Sequence, residues 1–219
     1  MAVKIAGNAG PNLEVETNTL AARVVIRPDD YGSLGMYQLG AVSGTIGAGM
    51  AANAPIFAFQ YTAANLALVK RVIISAGDTS TAFTAGIVTF QMFAARSFTA
   101  LDTGGTTVTP TSNSNKLRTN MATAGVAAII ANTAANTAGT RTLDGQAMAS
   151  LTSSITATAG TPLLAPYPLL DQRAGDYPLV CAQNEGFVIQ GTVPATGTWV
   201  FSVAVHWEEL STYGTGLAT

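Results

Sequence analysis

The chain offers few residues that could act as a catalytic nucleophile or base, because its 219 residues include one histidine and one cysteine. A Ser-His-Asp or Cys-His arrangement would have to use His206, which lies in a strand-like segment beside Trp207. We interpret His206 as a strand residue that faces solvent or a partner, and Cys181 as a small apolar filler. A zinc site needs several Cys or His ligands, so the sequence argues against zinc.

Three pairs of acidic residues are the remaining candidates for acid–base chemistry. Each pair lies in a predicted solvated arm, turn or strand end: Glu14 with Glu16, Asp29 with Asp30, and Glu208 with Glu209. Neighbouring residues of a strand point to opposite faces, so Glu208 and Glu209 cannot flank one substrate without a twist. A Ca²⁺ site at Asp29 and Asp30 is an alternative. We predict no catalytic, cofactor-binding or metal-binding residues, and a protein that is not an enzyme.

The glycine-rich segment 44–49 (GTIGAG) superficially resembles a phosphate-binding loop. Its glycines stand in the wrong order, no Lys-Ser/Thr pair follows, and no clear strand-to-helix context surrounds it. The segment is therefore predicted to be a flexible loop.

The segment that holds both tryptophans gives the clearest structural signal. Its apolar residues occupy every second position: Trp199, Phe201, Val203, Val205 and Trp207. This alternation predicts a β-strand with one apolar face. The opposite face is mixed to polar and carries Val200, Ser202, Ala204, His206 and Glu208. Such a strand packs on a core on one side and lies near solvent or a neighbour on the other.

Further strands are predicted where apolar residues alternate, or where β-branched residues cluster between turn signals. The predicted segments are 22–26, 56–61, 67–75, 85–93, 151–158, 187–193 and 198–208. The last two are predicted to form a hairpin joined by Pro194-Ala195-Thr196-Gly197. Residues 116–135 are rich in alanine and predict a short helix or loop. The prolines between positions 162 and 178 predict an extended connection.

Short strands joined by turn clusters and long loops favour an all-β fold, as a jelly-roll-like or β-sandwich domain with long loops. The chain is long enough to bury a real core within one such domain. We predict an extended N-terminal arm at residues 1–20, a single domain at 21–210 and a flexible C-terminal tail at 211–219.

Composition narrows the classes of partner. The net charge is −2, and the ten Lys and Arg residues are scattered from Lys4 to Arg173, which argues against direct binding of nucleic acid. The longest apolar run, residues 126–131, is far below the roughly 20 residues that span a bilayer, so we expect no membrane segment. Residues 1–8 lack the apolar region of a secretory signal, and a lone cysteine excludes an internal disulfide, so we expect cytosolic synthesis.

The low charge also bears on assembly. Charged residues make up 10% of the chain and hydrophobic residues 48%. One interpretation is that other subunits cover much of the surface, which predicts a homo-oligomer, most simply a trimer. The alternative is a surface wetted by Thr, Ser and Asn side chains.

Five short stretches resemble proteins encoded among the virion structural genes of tailed bacteriophages and prophages. They are residues 94–106 (AARSFTALDTGGT), 115–119 (NKLRT), 138–144 (AGTRTLD), 177–189 (YPLVCAQNEGFVI) and 195–199 (ATGTW). The similarity covers roughly residues 20–209 and includes no catalytic motif. It implies a structural component of the particle, such as a capsid cement or decoration protein with a jelly-roll-like fold, which is often trimeric. It assigns no binding residues.

The resemblance leads to an expected function: decoration and stabilisation of a phage capsid, on the capsid surface of a virion assembled from protein made in the host cytoplasm. The expected partners are the major capsid protein and further copies of this chain. The alternative is a tail-fibre or receptor-binding protein that recognises a host surface glycan, with Tyr31, Tyr37 and Tyr167 stacking on sugars from exposed loops. A polysaccharide-degrading enzyme is a third and weaker alternative, because no pair of acids in a cleft is evident.

Overall fold

The computed structural model describes residues 34–47, 49–112, 114–160, 162–173 and 176–211. Within these ranges the chain forms twelve strands and no helix, which confirms the all-β prediction. The strands are β1 (Gly35–Val42), β2 (Ala54–Tyr61), β3 (Leu66–Asp78), β4 (Gly86–Phe98), β5 (Thr106–Thr107), β6 (Val126–Ile130), β7 (Arg141–Leu143), β8 (Ala149–Ile155), β9 (Pro162–Asp171), β10 (Leu179–Cys181), β11 (Gly186–Thr192) and β12 (Trp199–Leu210). The predicted arm, the predicted strand at 22–26 and residues 212–219 of the predicted tail lie outside the described residues.

The strands form two antiparallel sheets. Sheet I has the order β1-β12-β3, and both β9 and β10 pair with the far edge of β3. Sheet II has the order β5-β6-β2-β11-β4, and both β7 and β8 pair with the far edge of β4. Two sheets around a shared apolar interior are consistent with the β-sandwich form of the prediction.

Strand β12 supplies the centre of the core, as its alternation predicts. Its five alternating apolar side chains, Trp199, Phe201, Val203, Val205 and Trp207, are each at most 2% exposed. The Trp207 ring meets Phe59 of sheet II edge to face, with ring centroids 5.3 Å apart. The Trp199 ring lies 5.8 Å from that of Phe90, also in sheet II. These aromatic contacts join the two sheets through one core.

The predicted hairpin between the last two strands is wrong. Strand β11 pairs with β2 and β4 in sheet II, whereas β12 pairs with β1 and β3 in sheet I. The loop 193–198 therefore crosses from one sheet to the other, so that both strands turn their apolar faces to the same core. Gly197 has a φ of 103° there, and a Cβ at this position would lie 2.8 Å from the Phe83 amide nitrogen. Only glycine fits this crossing.

The alanine-rich segment 116–135 contains a strand, where the sequence predicted a short helix or loop. Strand β6 pairs with β2 in a register that places Ala128 opposite Phe59 and Ala127 opposite Gln60. Small side chains fit the sheet here because the neighbouring strand supplies the bulk. Tertiary pairing therefore overrides the helical preference of alanine.

The proline-rich segment is also a strand, although the sequence predicted an extended connection. Strand β9 pairs with the edge of β3 and shifts its register three times, between Val72 and Ile73, between Ile74 and Ala76, and between Ala76 and Gly77. Pro166 and Pro168 lie in this strand. Proline is tolerated there because an edge strand needs ladder hydrogen bonds on one side only.

The outer face of sheet II is covered by the chain itself. Ala58, Ile129 and Val188 form a second apolar cluster on this face together with Ala95 and Phe98, and Leu101 and Leu143 pack against it. The covering segments, residues 99–105 and 136–144, pair with each other through Thr103 and Thr137. We call these two segments the cap of sheet II.

Candidate functional site

The structure does not bring the two candidate nucleophilic groups together. Cys181 is 1% exposed in the core of sheet I, where burial raises the pKa of its thiol to about 12. His206 lies on the opposite, outer face of that sheet, between Gln38 and Arg71 on the adjacent strands. Burial and the Arg71 charge lower the pKa of His206. Cys181 is thus the apolar filler that the sequence predicts, and no Cys-His pair forms.

Glu208 and Glu209 point to opposite faces of β12, as predicted, but neither is solvated. Their exposed fractions are 0% and 3%, which corrects the prediction of a solvated strand end. The Glu208 carboxylate accepts a charged contact from the Lys70 ammonium at 2.8 Å, on the outer face of sheet I. A buried carboxylate needs such a partner because its charge is removed from water.

Glu209 lies on the inner face and holds a neighbouring loop in place. Its carboxylate accepts hydrogen bonds from the Gly125 amide at 2.8 Å and from the Trp207 indole nitrogen at 3.2 Å. The Tyr61 hydroxyl lies beside the same carboxylate without a hydrogen bond of good geometry. The Tyr37 hydroxyl donates to the Ala122 carbonyl at 2.9 Å. These contacts fasten residues 122–125 to the sandwich.

The charge of Glu209 shapes the ionisation of the groups around it. Burial raises the pKa of Glu209, although its hydrogen bonds to Gly125 and Trp207 act in the opposite direction. Burial, and secondarily the Glu209 charge, raise the pKa of Tyr37 to about 12 and also raise that of Tyr61. All three side chains are at most 3% exposed. The cluster is therefore a structural fastening inside the core, and solvent does not reach it.

A second buried ionic contact lies in the cap of sheet II. The Arg141 guanidinium pairs with the Asp102 carboxylate, and their side chains are 5% and 0% exposed. Asp102 also accepts a hydrogen bond from the Gly139 amide at 2.9 Å. Burial lowers the pKa of Arg141. Sequence reasoning did not single out this pair; the signal that could have pointed to it is that both residues lie beside glycine-containing turns.

The glycine-rich segment is anchored at residues 46 and 47, where the sequence predicted a flexible loop. Ile46 is fully buried and forms a bridge with Trp199. The Gly47 amide donates to the Thr133 carbonyl at 3.2 Å. The loop thus closes one end of the core, and among the described residues no helix follows it, as a phosphate-binding loop of the strand-to-helix kind would require.

The tyrosines proposed to stack on sugars have different environments. Tyr37 is fully buried and stacks on Trp207, with ring centroids 5.3 Å apart, so its predicted exposure on a loop is wrong. Tyr167 is 44% exposed, on strand β9 and not on a loop. Tyr31 lies outside the described residues, as do the acidic pairs Glu14 with Glu16 and Asp29 with Asp30.

Neither a metal-binding cluster nor a relative points to a function for this chain. In the part of the chain that the structure describes, no three His, Cys, Asp or Glu side chains gather where they could hold a metal ion. No helix among the described residues is long and apolar enough to cross a membrane. Comparison with protein-family models, curated proteins and solved structures finds no match to this chain.

Proposed function

We propose that this chain is a structural virion protein that decorates and stabilises a phage capsid. It binds the outer surface of the assembled shell, across junctions between subunits of the major capsid protein, and it does so as a homo-oligomer. The proposal starts from the resemblance of five stretches of the sequence to virion structural proteins. A capsid decoration protein needs surface to bury on the shell and a rigid body to carry load between subunits.

One observation carries the proposal: three of the five stretches of resemblance, residues 94–106, 138–144 and 177–189, meet in one place. Asp102 of the first stretch pairs with Arg141 of the third, in the cap of sheet II. The Phe98 amide of the first stretch donates to the Asn184 carbonyl of the fourth at 2.7 Å. These three stretches therefore form one connected substructure.

The way in which the loops are fastened supports a mechanical role. The cap is held by a buried ion pair, and residues 122–125 are held by the Glu209 carboxylate. Buried ionic contacts of this kind are sensitive to small displacements, because separating them leaves an unpaired charge out of water. Such fastenings favour a stiff body over a set of mobile loops.

Cryo-electron microscopy of the particle that carries this protein tests the proposal. We expect density for the sandwich at many symmetry-related positions on the capsid surface. Quantitative mass spectrometry of purified particles gives an independent measure, with a copy number comparable to that of the major capsid protein. Density confined to the tail tip, or a copy number far below that of the capsid protein, would overturn the proposal.

A second candidate is a tail adhesin that recognises a host glycan. The observation that favours it is Tyr167, whose ring is 44% exposed and available to stack on a sugar. The Tyr167→Ala variant should then lose adsorption to host cells while remaining folded. Unchanged adsorption by particles that carry this variant would count against the adhesin.

The N-terminal segment offers a further test of capsid attachment. It is rich in Gly and Asn and short of residues that would bury themselves, so it could gain order on a neighbouring subunit. Its contacts must then recover about 1 to 2 kcal/mol for each residue that is fixed. Deletion of residues 1–12 should leave the sandwich folded and weaken attachment to the capsid. Full attachment of the deleted protein would exclude this role for the segment.

A further inference from the structure

The outer face of sheet I has an uncharged half that remains open to solvent. It is formed by Gly40–Val42 of β1, residues 73–77 of β3 and residues 200–204 of β12, which are neighbours in the sheet. Gly40 and Val42 are exposed, and Ile73, Ser75, Ser202 and Ala204 are partly exposed. We call this surface the open face. Val42 is 68% exposed, and among the large hydrophobic side chains of the described residues only that of Tyr177 has a greater exposed fraction.

Two glycines of the open face are not required by any contact among the described residues. A Cβ added at Gly40 or at Gly77 would meet nothing within 4 Å. Neither residue has a positive φ, so the backbone does not require glycine either. Glycine in a strand weakens it, and an unexplained strand glycine is typical of a site where another backbone approaches closely. These positions therefore leave shallow hollows on the surface.

The two hydroxyl groups of the open face share one hydrogen bond. Ser75 of β3 and Ser202 of β12 face each other, and their Oγ atoms share a hydrogen bond of 2.7 Å. Removing water from this pair leaves its mutual hydrogen bond intact, so burial of the face costs less than burial of two free hydroxyls.

The margin of the open face carries both signs of charge. Arg71 and Asp171 lie at its edge, with the Arg71 Nε atom 3.3 Å from the Asp171 carboxylate, and their side chains are 46% and 37% exposed. An identical surface from a second molecule can meet such a margin with opposite charges aligned. An uncharged centre with a charged margin is the arrangement that protein interfaces adopt.

We propose that the open face is the contact through which copies of this chain associate. The occupant is a second copy because the face is self-complementary in shape. The Val42 side chain is exposed, and Gly40 and Gly77 have no side chain and leave space on the surface. Val42 of each copy enters a glycine hollow of the other, and the Arg71 and Asp171 margins pair across the contact. Because both copies use the same face, the contact is isologous and closes as a two-fold dimer.

Sedimentation velocity of the purified full chain tests this contact. We expect the wild type to be oligomeric at micromolar concentrations. The Gly40→Lys variant places a charge in the hollow without an internal clash, and it should raise the dissociation constant at least about tenfold. The matched control is Gly145→Lys, because Gly145 is also exposed, has no positive φ and would place its Cβ in open space. This control should associate as the wild type does.

A second pair of variants tests the projecting side chain. Val42→Lys should weaken association, whereas Leu117→Lys, at a position that is 56% exposed and outside the open face, should not. Melting temperatures close to that of the wild type show that all four variants fold. A monomeric wild type would overturn the proposal, and the open face would then be available to bind the capsid shell. Equal effects of Gly40→Lys and Gly145→Lys on association would also overturn it.

This proposal does not rest on the capsid assignment. A wild type that is oligomeric through the open face but absent from capsids would support the contact and overturn the proposed function. A monomeric wild type that still decorates capsids would do the reverse.

Discussion

The outer faces of the two sheets are built in opposite ways. On sheet II, Ala58, Ile129 and Val188 form an apolar cluster that the chain covers with its own cap, and a buried Asp102–Arg141 pair lies within that cap. On sheet I, the open face has glycines at positions 40 and 77 and two serines that bond to each other. The first face is completed within one chain, and the second is exposed in the single chain, where we propose that a second copy binds.

The two faces differ in the size of their side chains, in buried charge and in hydrogen bonding. A face that the chain covers itself can use large side chains and buried charges, because both partners are synthesised together and fold together. A face that is first made in contact with water must keep its apolar area small and its hydroxyls satisfied until a partner arrives. Side-chain size, buried charge and hydrogen bonding therefore distinguish a face that the chain covers from a face that is exposed to water, in addition to hydrophobicity.

The largest expected effect comes from breaking the ion pair of the cap. Asp102→Ala leaves the Arg141 guanidinium buried without its carboxylate, and we expect a loss of about 3 to 5 kcal/mol in the free energy of unfolding. Urea denaturation measures this loss. The control is Asp144→Ala, which removes the partner of Arg96 in an exposed ion pair. A much smaller loss is expected there, and similar losses for both variants would mean that the cap is not held by its buried pair.

The next effect compares one isoleucine from each outer face. Ile129 is 5% exposed beneath the cap, so Ile129→Ala should cost about 2 to 4 kcal/mol through lost packing and a residual cavity. Ile73 lies on the open face and is only partly buried in the single chain, so Ile73→Ala should cost less than about 1 kcal/mol. Chemical denaturation at a concentration where the protein is monomeric gives both values. Equal costs would contradict the contrast between the faces.

The smallest effect concerns the inner side of sheet I, where Glu209 is buried among hydrogen-bond donors. Burial raises the pKa of Glu209 above its ordinary value of 4.5, so the folded state holds this proton more tightly than the unfolded state does. Stability due to this group is therefore greatest below the unfolded pKa and falls as the pH rises through the folded pKa. Glu209→Gln keeps an acceptor for the Gly125 amide and removes the titration.

Denaturation curves at a series of pH values test this sign. The stability of the wild type relative to Glu209→Gln should decrease as the pH is raised from 4.5 through the window of the shifted pKa. Taking the difference between the two proteins cancels the titration of His206 and of the exposed carboxylates. A constant difference across the series would show that Glu209 titrates alike in the folded and unfolded chains.

The sequence predicted best where one side chain pattern decides the structure. Strand β12 needs an apolar face, and Trp199 to Trp207 supply it at every second position, so the strand and its burial were both predictable. The pairing of β12 was not predictable, because the loop 193–198 is as suitable for a hairpin as for a crossing between sheets. The positive φ of Gly197 is compatible with either connection.

The candidate site was harder to predict because the burial of a side chain depends on residues that are distant in sequence and pack around it. Glu208 and Glu209 lie near the end of β12 and were predicted to be solvated, but Lys70 and Gly125, which are distant in sequence, contact their carboxylates. Tyr37 likewise has a glycine-rich sequence context and yet is fully buried against Trp207. Strand β6 escaped prediction because its partner β2, and not its own alanines, determines its conformation.

The prolines of strand β9 have a consequence for how the protein behaves when it is crowded. Pro166 and Pro168 present no N–H group, so an incoming strand from another molecule finds an interrupted set of donors along this edge of sheet I. Unprotected sheet edges template open-ended, amyloid-like growth. The prolines thus make the edge at β9 a poorer template for an added strand, which disfavours edge-to-edge aggregation when molecules are held at high local density.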